Sequence, residues 1–363
     1  MANRFWVGGG SSTNWDATSN TNWSATDGGA NNASVPADGD DVFFKSAADC
    51  VLNVNTADIK SFDMTGYTGI FSGTGILFVE LASGTSNVIF AGTINYSSQI
   101  HLMPAAGATI NLDCSLCNAE VGIGDYGGTG IVNLIAAFSA ATKNFSVNST
   151  QVYTNGYSIT CHSFQTTSGN KIVDITNSTI TSNWNMTAQG TLTLTTTGST
   201  INATDLFAGR DKIYNIVTLT GNNMIISGDN TITTLNINTA GLALGAQFTA
   251  GSTQTVTNFT TNGYVSNLAK IFSTSAGTHF HLAKAGGENV SVDYMSITDS
   301  YASPANTWYA GTNSTEGTGN DGWIFTDPPI TDISKVAGIA YSSIKNVSGI
   351  AIASIKKLAG VTN

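Results

Sequence analysis

Charge is what this sequence has least of. Only 10% of its 363 residues are Asp, Glu, Lys or Arg, against about a quarter in an ordinary domain. Glutamate occurs four times and arginine twice. So thin a supply of helix-forming residues excludes an all-α protein and argues against an α/β nucleotide-binding enzyme. Cysteine is scarce too. Cys50, Cys114, Cys117 and Cys161 are too few and too scattered for a disulfide framework. Cys114 and Cys117 form a CxxC, but no second pair completes a zinc site, and the motif lies in a strand-like stretch (ATINLDCSL). These thiols read as small buried side chains. No apolar run approaches the length of a membrane span. The formal charge of −10 argues against a nucleic-acid partner, which needs a basic footprint.

What fills the chain instead is Thr (51), Ser (37), Asn (36) and Gly (39), with 41% hydrophobic residues, enough for a core. From about residue 46 to 300, β-rich runs alternate with Gly/Asn/Ser turns. Examples are CVLNVN (50–55), GILFVE (75–80), ATINLD (108–113), KIVDITNSTI (171–180), TLTLTTTG (191–198) and TITTLNI (231–237). Short runs recurring every 8 to 15 residues mean a sandwich, a barrel or a solenoid. Gly and Asn suit left-handed corners, no series of matched Asn-Gly hairpins is present, and no linker divides the body. The expected fold is all-β, a right-handed parallel β-helix, with tandem β-sandwiches as the alternative. A loose echo between STQVYTNGY (149–157) and STQTVTNFTTNGY (252–264) fits stacked coils.

Four segments follow. Residues 1–45 interleave Trp6, Trp15 and Trp23 with Gly and Asn, which predicts a cap over the first open sheet edge rather than a sugar-stacking surface. Residues 46–300 are the β-helix body. Residues 301–327, with Trp308, Tyr309, Trp323 and Phe325, read as the closing cap. Residues 328–363 carry a period of 11: ISKVAGIAYSS, IKNVSGIAIAS, IKKLAGV. Each unit reads as a helical turn or tight bend, a Gly stop and a short strand. The four lysines of this tail (Lys335, Lys345, Lys356, Lys357) meet no acid from residue 333 onward. So short an apolar, basic repeat cannot build a core alone. It is expected to pack on another chain or on copies of itself, most simply as a trimer. The docking residues would be Ile333, Lys335, Val336, Ile339, Ile344, Lys345, Val347, Ile350, Ile355, Lys356, Lys357 and Leu358.

Chemistry-bearing residues are sparse. Asp205 with Arg210, Asp211 and Lys212 is the nearest thing to a catalytic cluster, since an Asp/Arg/Lys group can bind or cleave acidic sugars. A solvated loop with internal ion pairs is the simpler reading. His279 and His281 share one side of a strand but lack an assignable third metal ligand. Asp38, Asp40 and Asp41 offer carboxylate oxygens to a cation without the spacing of a calcium loop. The expectation is a non-enzyme that holds no cofactor.

The composition looks extracellular and adhesin-like, yet the opening MANRFWVGGGSSTNW shows no secretory h-region. A particle component made in a host cytoplasm and released by lysis satisfies both observations. The openings FWVGGG, NWDATSNTNWSATDGGA and ASVPADGDDVFF, and the close SVDYMSITDS, TWYAGTNSTEG and GWIF, resemble a family of phage virion proteins. The Ile-x-Lys-Val-x-Gly-Ile-Ala tail is similar to C-terminal repeats of phage tail and appendage proteins. The resemblance covers the two ends well and the middle only in style. It implies a β-helical virion surface protein (tail spike, fibre or head decoration). With the basic tail and exposed rows of Asn, Thr and Ser, the expected partners are other virion proteins, its own copies and host glycans. It brings no catalytic residues. Rivals on the same fold are a polysaccharide-degrading tailspike and a bacterial surface adhesin.

Overall fold

The computed structural model describes residues 2–17 and 21–328, together with the backbone of four two-residue strands in the tail. The described residues hold no α-helix, only a 3-10 turn at Asp125–Gly127. Strands pair in parallel with the next strand of their own face, making a β-solenoid of about 13 coils. Parallel pairing throughout the body rules out tandem sandwiches, whose strands run antiparallel.

Each coil contributes to three faces. The first face stacks Asn3–Trp6, Asp41–Phe44, Ser61–Asp63, Thr85–Ile89, Thr109–Asp113, Ile131–Leu134, Gln151–Tyr153, Lys171–Asp174 and Leu192–Thr195. The second face begins with Cys50–Leu52, Ile70–Gly73 and Thr93–Tyr96. The third begins with Leu77–Leu81, Gln99–Pro104 and Glu120–Ile123. Longer strands such as Phe138–Val147 and Ile159–Thr166 then run through the corner between second and third faces, with a register shift where they bend.

Period-2 alternation decides what points inward. In Leu77–Leu81 (LFVEL) Leu77, Val79 and Leu81 are buried, while Phe78 is half-buried and Glu80 exposed. Because the pairing is in register, inward residues of one coil sit on those of the next. One such stack runs Leu77, Ile100, Val121, Phe145, Phe164, Trp184, Phe207, Ile226 and Phe248, every side chain fully buried. Asn residues hold several corners in the left-handed region, among them Asn155 (φ 52°), Asn177 (φ 57°) and Asn223 (φ 62°). Their short polar side chains tolerate this conformation better than other non-glycine residues do.

Both ends are closed with tryptophan. Trp6, Trp15 and Trp23 are buried, Trp23 standing edge-on to Trp15 (4.7 Å) and to Trp6 (5.1 Å). Trp6 Nε1 donates to the Ala48 carbonyl and Trp23 Nε1 to the Trp15 carbonyl, both at 2.9 Å. These rings are therefore spent on the core and offer no face to a sugar. At the other end Trp308 is buried against half-buried Trp323 and Phe259. Trp308–Tyr309 and Trp323–Ile324 continue the parallel ladder from Val290–Ser291, so the closing segment is itself coiled onto the stack.

In the tail, Lys335–Val336 pairs antiparallel with Ile339–Ala340, and Asn346–Val347 with Ile350–Ala351. The first two repeats thus each pair as a small hairpin, not as a helical turn or bend followed by a single strand, and the third lies outside the described residues. Two residues ending in Gly between the strands match the length of a tight hairpin loop. Of the expected docking residues, Ile333, Ile344, Lys345, Ile355, Lys356, Lys357 and Leu358 lie outside the described residues.

Candidate functional site

The four residues chosen from sequence as a possible catalytic cluster do not converge. Asp205 is exposed at the corner inside Thr200–Ala208, where its N–H donates to Asn183 Oδ1 (2.9 Å). Arg210 and Asp211 form the next corner, both left-handed (φ 54° and 55°). Asp211 Oδ1 accepts the N–H of Asp229 (2.5 Å), Arg210 Nη2 donates to the Gly190 carbonyl, and the Lys212 carbonyl accepts the N–H of Thr231. Among the described residues no ion pair joins the four, so the expected solvated loop with internal ion pairs is replaced by corners fastened coil to coil.

The three N-terminal aspartates also diverge. Asp40 faces Arg4 (3.6 Å) and accepts the N–H groups of Ala2 and Ala37. Asp41 is held by Lys60 Nζ (2.9 Å) and Ser61 Oγ (2.7 Å), and Asp38 accepts the N–H of Asp58. His279 and His281 flank inward-facing Phe280, as alternation requires, with His281 edge-on to Tyr301 at 5.2 Å. No group of three or more metal-ligating side chains occurs among the described residues. All four cysteines are buried free thiols. Burial pushes their pKa values up, that of Cys161 to about 12, so at neutral pH they remain protonated and unreactive.

What the coils do assemble is a set of polar ladders. On the first face Asn111 Nδ2 donates to Asn87 Oδ1 (3.0 Å) and Asn133 Nδ2 to Asn111 Oδ1 (3.5 Å). By register the row continues into Tyr153 and Asp174. A second row runs Thr181, Asn202, Thr218, Asn236 and Thr260. There Asn202 Nδ2 donates to Thr181 Oγ1 (3.3 Å), Asn236 Nδ2 to Thr218 Oγ1 (3.0 Å) and Thr260 Oγ1 to Asn236 Oδ1 (2.5 Å). An amide in such a row spends one donor on its neighbour and keeps acceptor lone pairs and a second N–H for a ligand. Those free groups repeat at the coil spacing, about 4.8 Å.

Two further arrangements escaped the sequence reading. His101 Nδ1 lies 3.0 Å from Asp125 Oδ2, and its ring stacks on Phe78 (5.2 Å between centroids). Gly122 makes this possible, because a Cβ there would strike both the Asp125 carboxylate and the His101 ring. Second, Lys171 is buried at the head of Lys171–Asp174, where its Nζ donates to the Thr167 (2.6 Å) and Gln189 (2.9 Å) carbonyls. Beside it opens a groove of about 550 Å³ lined by Ser149, Thr150, Gln151, Asn170, Ile172 and Thr191. For the first, a local coil length of 24 residues was the usable signal. His101 and Asp125 stand 24 residues apart, as do Asn87 and Asn111 one face away.

Comparison of the chain with protein-family models, with curated proteins and with solved structures returns no match.

Proposed function

We propose that this chain is a non-enzymatic structural protein of a phage virion surface, a tail spike or fibre component or a head decoration. Its stiff body meets host-surface glycans, and its tail docks on the particle or on its own copies. The observation that carries this reading is the pair of Thr/Asn ladders on the outer faces. They present mainly hydroxyl and amide groups at a regular spacing, with Asp174 a charged member of the first row, which suits weak contacts multiplied along a repeating polysaccharide. The resemblance of both ends to phage virion proteins and the lysine-bearing apolar tail support the placement.

A second reading, a tailspike that cleaves polysaccharide, draws on the His101–Asp125 pair, where a carboxylate orients an imidazole as in general-base sites. The two readings separate on one incubation with bacterial surface polysaccharides. The proposal predicts saturable retention with polymer length unchanged. New reducing ends, lost in Asp125→Ala, would install the enzyme instead.

The tail predicts a further result. By light scattering, the full chain should be a trimer and a chain ending at Phe325 a monomer. If the full chain is also monomeric, self-assembly is wrong and the tail's partner is another virion protein.

A further inference from the structure

Lys171 occupies a position that alternation reserves for the core. In Lys171–Asp174 (KIVD) it shares the inward side with Val173, and in the coils on either side its row is filled by Thr150 and Leu192. Its side chain is 3% exposed. Arg210 reaches the same corner from two coils away. Lys171 Nζ binds the Gln189 carbonyl while Arg210 Nη2 binds the adjacent Gly190 carbonyl. The two cations therefore sit side by side on consecutive carbonyls. Among the described residues neither has a carboxylate within ion-pair distance.

Burying one cation without a counter-charge is costly, and placing a second beside it adds repulsion. The pKa of Lys171 is lowered first by burial and then by the charge of Arg210. Donors also remain unspent. The ammonium uses two of its three N–H groups on carbonyls, and Arg210 Nη1 is buried with no partner. A neutral ligand answers the donors but leaves the charge. An anion answers both.

We propose that this corner is an anion site, and that the groove leading to it takes an acidic saccharide whose carboxylate sits at Lys171 with Arg210 behind it. The groove has the volume of a small-ligand site. Its Ser149, Asn170 and Thr191 supply hydroxyl and amide partners for sugar hydroxyls, and Ile172 supplies an apolar contact for a ring face. This deepens the glycan-contact reading and rests on it, naming the charge of the sugar that the body recognises.

The test is calorimetric titration of the full chain at low salt with glucuronate, glucose and acetate. Glucuronate should bind saturably and glucose should not. Acetate should compete with glucuronate, and added chloride should weaken the binding. Lys171→Met keeps the length of the side chain and should weaken glucuronate at least tenfold, as should Arg210→Gln. Because either variant could disturb the corner, the competition between acetate and glucuronate on the unaltered chain stands as an independent readout. Equal binding of glucose, no saturable binding of glucuronate, or full affinity in Lys171→Met overturns the proposal. So does stabilisation by chloride alone, which would make this a site for small ions only. If a neutral polysaccharide is retained while glucuronate is not, the anion site fails and the surface-contact reading stands. If no polysaccharide is retained at all, both fail.

Discussion

Replacing Trp184 with Ala should destabilise the solenoid by about 3–5 kcal/mol, the usual cost of emptying a buried aromatic site. Trp184 is fully buried midway along the third face, stacked on Phe164 at 5.0 Å and edge-on to Tyr214 at 6.2 Å. It is also wired into the backbone. Its Nε1 donates to Tyr214 Oη (3.1 Å), and that hydroxyl donates to the Gly209 carbonyl (2.6 Å). Removal opens a cavity and leaves a buried hydroxyl short of a donor. In a stack stabilised by nearest-neighbour contacts, a break in the middle separates two blocks of coils. Urea titration should therefore show a lower midpoint and a broadened or two-step transition. Trp184→Phe keeps a ring in the stack while losing the hydrogen bond and part of the buried volume, so it should cost about 2 kcal/mol, less than Trp184→Ala. A loss below 1 kcal/mol in Trp184→Ala would mean that the aromatic row does not hold the coils together.

The second large effect is expected at Gly221. A Cβ there would fall on the carbonyl oxygen of Thr204 in the coil below, a clash with backbone that no side-chain rotation relieves. The coils are pinned at this point, because Thr220 donates to the Ala203 carbonyl from both its N–H (3.0 Å) and its Oγ1 (2.9 Å). Gly221→Ala must lift one coil off the other and break those bonds, at a cost of about 3 kcal/mol or more. Gly287→Ala is the matched control. A Cβ there meets nothing within 4 Å, and its cost should be near zero. Thermal melts of the pair, run side by side, separate coil spacing from any general effect of losing glycine. Equal stabilities would contradict the close approach.

The strands were legible in the sequence because alternation is local. Leu77, Val79 and Leu81 declare their side without reference to anything distant. The corners were legible too, since Gly and Asn mark them. The stacking register was not, because the coils differ in length. From Val121 to Phe145 is 24 residues and from Phe145 to Phe164 only 19, so no fixed period lines up the row. That irregularity hid every site built between coils. Asp205 and Arg210 are five residues apart and looked like a cluster, yet they stand at successive corners with the strand Leu206–Ala208 between them. Lys171 and Arg210 are 39 residues apart and meet at one corner. A signal for the second was present: the alternation of KIVD already places Lys171 on the side of Val173, where a lysine is out of place unless something holds it. In the tail, the period of 11 was plain, but tight bend and hairpin share the same Gly signal, and only pairing tells them apart.

The central claim is that this solenoid stands on the outside of a phage particle. It is tested most directly by labelling intact particles, purified from the lysate in which the chain is made, with gold-tagged antibodies against residues 2–328. The account predicts label on the surface of unbroken particles, at the tail or over the head. A chain absent from the particles, or reached by antibody only after they are disrupted, would contradict it.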